Sequence, residues 1–298
     1  MRISELLDGH RPVFSFEFFP PKTDEGQRTL EGTLAILKDD SPDYVSVTYG
    51  AGGTTRNRTV DITKHIKQDL GVEAMAHLSC VGEPAERLRE ILHDLEQDGI
   101  ENVLALRGDP PRGETQWRPH PGGLSYSIEL IRLIREHFDF CVGAACFPET
   151  HPDAPDRAAD LGYAKAKADA GASFLITQLF FDNGAYFDYV EEARAAGIEV
   201  PIIPGIMPIT NYGQIKRFTE MCGATIPDEL AEQLDGRADD PDAVAELGVA
   251  YATLQCSHLL AQGAPGIHFY TLNRSTATRA ILAALRAAHP WTRAKATL

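Results

Sequence analysis

Hydrophobic and polar positions alternate along Val13–Phe18, which sends Phe14, Phe16 and Phe18 to one face of a short strand and Ser15 and Glu17 to the other. Pro20 and Pro21 stop that run. Short β-rich runs at Tyr44–Thr48, Glu73–His77, Asn102–Arg107, Phe140–Ala145, Phe174–Gln178, Ile202–Ile206 and Gly266–Tyr270 predict further strands. Between them apolar residues recur at helical spacing. They predict helices over Asp24–Leu37, Arg56–Asp69, Pro84–Gln97, Ser125–His137, Asp156–Ala170, Tyr186–Ala196, Asn211–Met221 and Ser275–Ala288. Gly71, Gly99, Gly171 and Gly197 stand where helices close.

Strand–helix units repeated in this order predict an α/β fold, a (β/α)8 TIM barrel. The Leu and Ala spacing in Gly223–Gln262 predicts one or two extra helices before the last strand. A doubly wound sheet is the alternative. It would carry a glycine-rich turn after its first strand, where this chain has Phe18-Phe19-Pro20-Pro21. No linker or low-complexity tract divides residues 1–298, so they read as a single barrel domain.

Composition narrows the function classes. A formal net charge of -15 argues against non-specific binding to nucleic acid or anionic membrane. No apolar run reaches membrane-spanning length, and Met1–Pro12 has no apolar signal-peptide core, so a cytoplasmic protein is expected. The cysteines Cys80, Cys141, Cys146, Cys222 and Cys256 are scattered without a Cys-x-x-Cys and read as reduced thiols. Cys146 and His151 lack a second ligand pair at zinc-site spacing, so no metal is expected.

Barrel enzymes place their chemistry at the C-terminal ends of the strands. Glu17 ends the first strand. A carboxyl in such an apolar setting has a raised pKa and can donate a proton near neutral pH. The competing reading is an ordinary surface carboxylate. Thr48, His77 and Arg107 end the next three strands, and Arg107 runs into Gly108-Asp109-Pro110-Pro111. Phe147 to His151 follow the fifth, Gln178 ends the sixth, and Tyr270 to Arg274 follow the last. So many large polar groups at equivalent places predict a polar ligand site. Gln214 and Phe218 share a helix face, and an amide beside a ring suits a flat ligand; core packing is the competing reading of Phe218. Asp160, Tyr163 and Lys167 share another face, suited to ribose hydroxyls and phosphates, or else to solvent. Gly50–Thr55 precedes a helix and offers an anion site.

The segments FSFEFFPPKT, YVSVTYGAGGTTRNRT, MAHLSC, NVLALRGDPP, FPETHPDA, ITQLFFD, PIIPGIMPITN and HFYTLNRS together resemble the methylenetetrahydrofolate reductases, in that family's order from Val13 to Arg274. With nothing after the barrel that would form a regulatory domain, the chain resembles the short, catalytic-domain-only bacterial form. The resemblance implies a barrel that binds FAD without a dinucleotide fingerprint. It implies ping-pong reduction of 5,10-methylenetetrahydrofolate to 5-methyltetrahydrofolate by NADH or NADPH. In that scheme Glu17 is the general acid that opens the imidazolidine ring to an N5 iminium, and Asp109 lies near flavin N1 and the pterin. Thr48, His77, Arg107, Gly108, Phe147, His151, Asp160, Tyr163 and Lys167 match flavin-binding positions. Gln178, Gln214, Phe218 and Arg274 match substrate-binding ones. A reduced folate is then the small-molecule partner, and the family implies a homo-oligomer. Phe147 stands where some relatives carry Tyr, which removes a hydroxyl contact, and Tyr163 and Ala166 depart from the polar or basic residues of relatives. Two other classes remain at this point. Another flavin barrel oxidoreductase, proline dehydrogenase-like, would exchange electrons with an amino acid. A non-catalytic folate- or flavin-binding protein would need neither Glu17 nor Asp109.

Overall fold

The structure, a computed structural model, describes residues 1–21, 23–49, 56–109, 118–273 and 276–292. Its strands are β1 (Val13–Phe18), β2 (Tyr44–Val47), β3 (Ala74–Ser79), β4 (Asn102–Leu106), β5 (Cys141–Cys146), β6 (Phe174–Thr177), β7 (Ile202–Ile203), β8 (Gly205–Ile206) and β9 (Gly266–Tyr270). All pair in parallel, in the order β7-β6-β5-β4-β3-β2-β1-β9-β8. The helices are α1 (Ile3–Leu6), α2 (Asp24–Asp39), α3 (Arg56–Gln68), α4 (Ala85–Gln97), α5 (Ser127–His137), α6 (Arg157–Asp169), α7 (Asn183–Ala195), α8 (Tyr212–Cys222), α9 (Asp228–Asp235), α10 (Pro241–Ala261) and α11 (Thr276–Ala288). The fold is the predicted α/β TIM barrel, and α9 and α10 are the extra helices before the last strand.

One predicted strand is split. Pro204 has no N–H to give to a ladder. Its carbonyl instead accepts from the His268 amide at 3.0 Å, and the Gly205 amide donates to Thr177 Oγ1 at 2.9 Å. β7 therefore pairs with β6 and β8 with β9, so the segment 202–206 joins the two ends of the sheet and closes the ring. Tyr186 of α7 fastens this seam by donating its hydroxyl to the Ile202 carbonyl at 2.8 Å.

The alternation in β1 holds. Phe14, Phe16 and Phe18 pack outward with Leu30 and Leu34 of α2, and Phe16 stacks on Phe269 at 5.7 Å. Val13, Tyr44, Met75, Leu104, Cys141, Phe174, Ile176 and Ile203 form a separate apolar layer inside the ring. Ile3 joins that layer, because α1 caps the N-terminal end of the barrel. Buried Asn102 holds α1 there: its Oδ1 accepts from the Ile3 amide at 2.8 Å, and its Nδ2 donates to the Met1 carbonyl and to Glu73 Oε1 at 3.0 Å each. The hydrophobic pattern did not predict α1, because four residues are too few to show a helical period.

Local caps start the helices. Asp156, Asp182, Asn211 and Asp240 each accept an amide of the first turn of α6, α7, α8 and α10. All five cysteines are free, and four are buried. Among the described residues no helix is long and apolar enough to cross a membrane.

The seam demands a residue without a side chain. A Cβ at Gly205 would lie 2.3 Å from the Thr177 carbonyl oxygen and 2.7 Å from the Tyr270 ring. Gly205→Ala should cost about 1–3 kcal/mol, seen as a lower urea midpoint at unchanged slope. An unchanged midpoint would mean that the seam yields without cost.

Candidate active site

Glu17 lies at the C-terminal end of β1 and is 6% exposed, so it is not the surface carboxylate of the competing reading. Nor is its setting simply apolar. Oε2 stands 3.4 Å from His268 Nε2 and 3.5 Å from His77 Nε2. Register explains the grouping: Glu17 pairs with Tyr270 of β9, and Ser15 with His268. Ser15 Oγ lies 2.8 Å from His268 Nδ1. The Tyr44 ring stacks on His268 at 6.3 Å, and Tyr270 meets it edge-on at 5.3 Å. Tyr270 is itself fixed by donating its hydroxyl to the Thr177 carbonyl at 2.7 Å, and Thr271 donates to the Glu17 carbonyl at 2.5 Å. Burial pushes the Tyr44 and Tyr270 phenols up, so both stay protonated. Burial pulls the His77 imidazole down to about 4 against the opposing pull of Glu17, so it is neutral at physiological pH.

A second group gathers where β4, β5 and α6 meet. Arg107 pairs with Asp153 at 2.9 Å, and the Asp153 amide donates to His151 Nδ1 at 2.9 Å. The His151 amide donates to Asp160 Oδ2 at 3.2 Å, and Phe147 meets the His151 ring at 4.5 Å. Lys167 donates to the Ala145 carbonyl at 2.8 Å. Burial lowers the Lys167 ammonium pKa, opposed by Cys146 and Asp160. Burial raises the Asp160 carboxyl, opposed by the His151 amide and by Lys167. His151 is lowered by burial and then by Arg107. Cationic groups gathered at strand ends suit a phosphate-bearing ligand. Gly108 turns the chain there with φ +87°, and a Cβ on it would press on Val81 at 2.7 Å. Two buried polar atoms near this mouth, Thr48 Oγ1 and His77 Nε2, have no hydrogen-bond partner among the described residues. Orphaned buried polar atoms of this kind fit a polar cofactor.

The remaining predicted residues are more dispersed. Asp109 is exposed at the end of a described segment. Gln178 is half-buried, and its Oε1 accepts from the Leu179 amide at 3.0 Å. Gln214 and Phe218 lie half-buried on α8, and Phe218 packs against the cluster that includes Leu179, Met207 and Ile215. Core packing thus accounts for part of that ring. Tyr163 is 54% exposed, unlike its helix partners Asp160 and Lys167. Arg274, the loop Gly50–Thr55 and Pro110-Pro111 lie outside the described residues.

The family model described as methylenetetrahydrofolate reductase matches residues 2–286. The chain belongs to that family. It is 41% identical over 267 residues to the 5,10-methylenetetrahydrofolate reductase of Escherichia coli, covering 90% of this chain and 88% of that one. It is 38% identical over 292 residues to methylenetetrahydrofolate reductase (NADH) 1 of Zea mays, covering 94% of this chain and 49% of that one. The chain thus spans about half the length of the plant relatives it matches. A solved Clostridium thermocellum protein described as binding two copies of 5-methyl-5,6,7,8-tetrahydrofolic acid shares the fold, with a TM-score of 0.64 over 97% of this chain at 14% identity.

Within this reductase-family barrel, three residues of the Glu17 cluster were not singled out from sequence for the site, Ser15, Tyr44 and His268, whereas Tyr270 was named at the end of the last strand. A signal for them existed. Ser15 shares the Glu17 face of β1, and in the last strand Gly266, His268 and Tyr270 alternate with Ile267 and Phe269. Which of these inward residues meet was hidden until the register was known.

The His77 imidazole has a folded pKa of about 4 against an ordinary 6.5. A depressed value stabilises the fold above pH 6.5, and that contribution is lost as pH falls towards 4. The loss amounts to about 3 kcal/mol. Urea unfolding across this range should show His77→Leu to be less acid-sensitive than the parent chain. Parallel pH curves would show that His77 does not have to be neutral to be buried.

Proposed function

We propose that this protein reduces 5,10-methylenetetrahydrofolate to 5-methyltetrahydrofolate, holding FAD and taking electrons from NADH or NADPH. The observation that carries this reading is the Glu17 carboxyl. It is buried at the barrel mouth in the family's own motif, with both imidazole contacts on Oε2. No protein group among the described residues bonds Oε1. A proton donor turned to a ligand needs one oxygen held and the other free.

Each residue has a task in this scheme. Arg107 and Lys167 hold the cofactor phosphates and Asp160 the ribose hydroxyls. Thr48, His77, Gly108, Phe147, His151 and Tyr163 complete the contact. When bound, FAD supplies the hydride that the folate accepts. Glu17 gives its proton to folate N10; the bond from N10 to the bridging carbon breaks, and the ring opens to an N5 iminium. The Asp109 carboxylate offsets that positive charge. Gln178, Gln214, Phe218 and Arg274 position the folate, with the Phe218 ring stacking on the nicotinamide or the aminobenzoate.

Anaerobic mixing with NADH and NADPH in turn tests the scheme. Flavin absorbance should bleach with the preferred dinucleotide and return on adding methylenetetrahydrofolate. A folded protein that takes up no flavin would overturn the proposal. Glu17→Gln should keep FAD and its reduction by the dinucleotide while slowing the folate half-reaction roughly 100- to 10,000-fold. Equal loss of both half-reactions would make Glu17 structural. Phe218→Ala should weaken dinucleotide or folate binding by about 1 kcal/mol with FAD affinity held. If titrations show no such difference, the ring serves the core alone.

A further inference from the structure

Helix α8 sits apart from the outer layer of the barrel. Its apolar residues pack in a cluster of their own with Leu179 and Phe181, which follow β6, and with Met207 and Ile209, which follow β8. α10 is the helix that packs against α7 and α11. α8 therefore lies over the C-terminal ends of the strands, and its far end meets the segment between β5 and α6. There Gly223 turns the chain with φ +74°, and a Cβ on it would stand 3.2 Å from the Pro152 ring and 3.6 Å from the Thr150 carbonyl oxygen. Glu149 joins the two sides: its Oε2 accepts from the Thr225 amide at 2.9 Å. Its Oε1 is buried and has no hydrogen-bond partner among the described residues, so the carboxyl is anchored through Thr225.

The two sides of this contact are not equally held. The β5–α6 segment has bonds of its own. Arg157 donates to the Pro148 carbonyl at 2.7 Å, the His151 amide donates to Asp160, and Arg107 pairs with Asp153. Thr150 closes a turn by donating its amide to the Phe147 carbonyl at 3.2 Å, with φ +76°. A β-branched residue keeps that left-handed conformation only where its surroundings hold it there. At the end of α8 the Gly223 and Ala224 amides close on the Thr219 carbonyl within the helix, and the Thr225 amide reaches across to Glu149. Loss of the Glu149 bond would thus free the end of α8 and leave the β5–α6 segment in place.

We propose that Glu149 is a positioning residue for the substrates: by holding the Thr225 amide it sets the separation between the β5–α6 segment and α8, and with it the width of the slot that dinucleotide and folate occupy in turn. The inference rests on the reading in which Phe147 and His151 contact the cofactor while Gln214 and Phe218 contact the substrates. Glu149 acts through α8. Because both substrates use one slot in the ping-pong scheme, loss of the tie weakens both, whereas loss of the Glu17 acid is felt by the folate alone.

The first test needs no activity. Glu149→Met keeps the length of the side chain and removes the acceptor. In hydrogen exchange read by mass spectrometry it should speed exchange across residues 219–226 roughly 3- to 10-fold and leave residues 147–156 unchanged. Glu149→Gln keeps an accepting oxygen and trades one unpartnered buried atom for another, so it should exchange like the parent chain. Unchanged protection in Glu149→Met, or a Glu149→Gln chain that matches it, overturns the proposal. The second test is kinetic. Glu149→Met should raise the half-saturating concentrations of dinucleotide and folate together by about 3- to 10-fold, with both limiting rates within about twofold and FAD affinity held. Glu149→Gln should restore both. A rise for one substrate alone, or an equal loss of FAD affinity, makes Glu149 merely structural. Exchange that responds as expected in a protein without folate activity would overturn the functional reading while leaving the Glu149–Thr225 tie intact.

Discussion

Closure of a parallel sheet is the constraint on which everything else in this molecule depends. Once the segment 202–206 joins β6 to β9, the ring has no free edge. Every second side chain of every strand must then share one narrow interior. The lower part of that interior is filled by apolar groups such as Met75, Phe174 and Ile203. The upper part is not. There the same alternation delivers Ser15, Glu17, His77 and His268, all buried, and His268 bonds both Ser15 and Glu17. Polar chemistry at the mouth is thus a consequence of register.

The cost of burying a carboxyl explains the company it keeps. An isolated carboxylate in such a place is strongly disfavoured. His268 Nε2 hydrogen-bonds Oε2, His77 Nε2 stands 3.5 Å from the same oxygen, and Thr271 holds the Glu17 main chain at its carbonyl. A lysine or arginine in their place would keep Glu17 ionised. Burial keeps the His77 ring neutral, so that neighbour adds no countercharge. The cations of this mouth, Arg107 and Lys167, are instead grouped with Asp153, Asp160 and His151 on the β4–β5–α6 side. The two halves of the site therefore have different electrostatic characters, one suited to proton transfer and the other to phosphate.

Much of this was legible in the residues. The two-residue period of β1 placed the phenylalanines outside and Ser15 and Glu17 inside, and both ends of β1 and β9 fall where the pattern put them. Other strand ends shifted by a residue or two, as β3 runs on to Ser79 and β5 to Cys146. The break at Pro204 was written in the sequence too, but its meaning depends on Thr177, a residue 27 positions away whose Oγ1 accepts from the Gly205 amide. The environment of Glu17 was misjudged for a similar reason. Local sequence surrounds it with phenylalanines, which point the other way, while its real neighbours arrive from β3 and β9. Phe218 could not be divided between core and ligand by spacing, since a half-buried ring on α8 serves both.

The short helix α1 has a bearing on the far end of the barrel. Ile3 packs into the lower apolar layer and Asn102 bonds its amide, so side chains plug the floor of the barrel. In the proposed scheme the folate meets Glu17 at the opposite end, the mouth. In that scheme a carboxyl that has surrendered its hydrogen to a bound molecule would regain one from the same end, after that molecule has left. Under the proposed scheme the cork at one end would thereby set an order of events at the other.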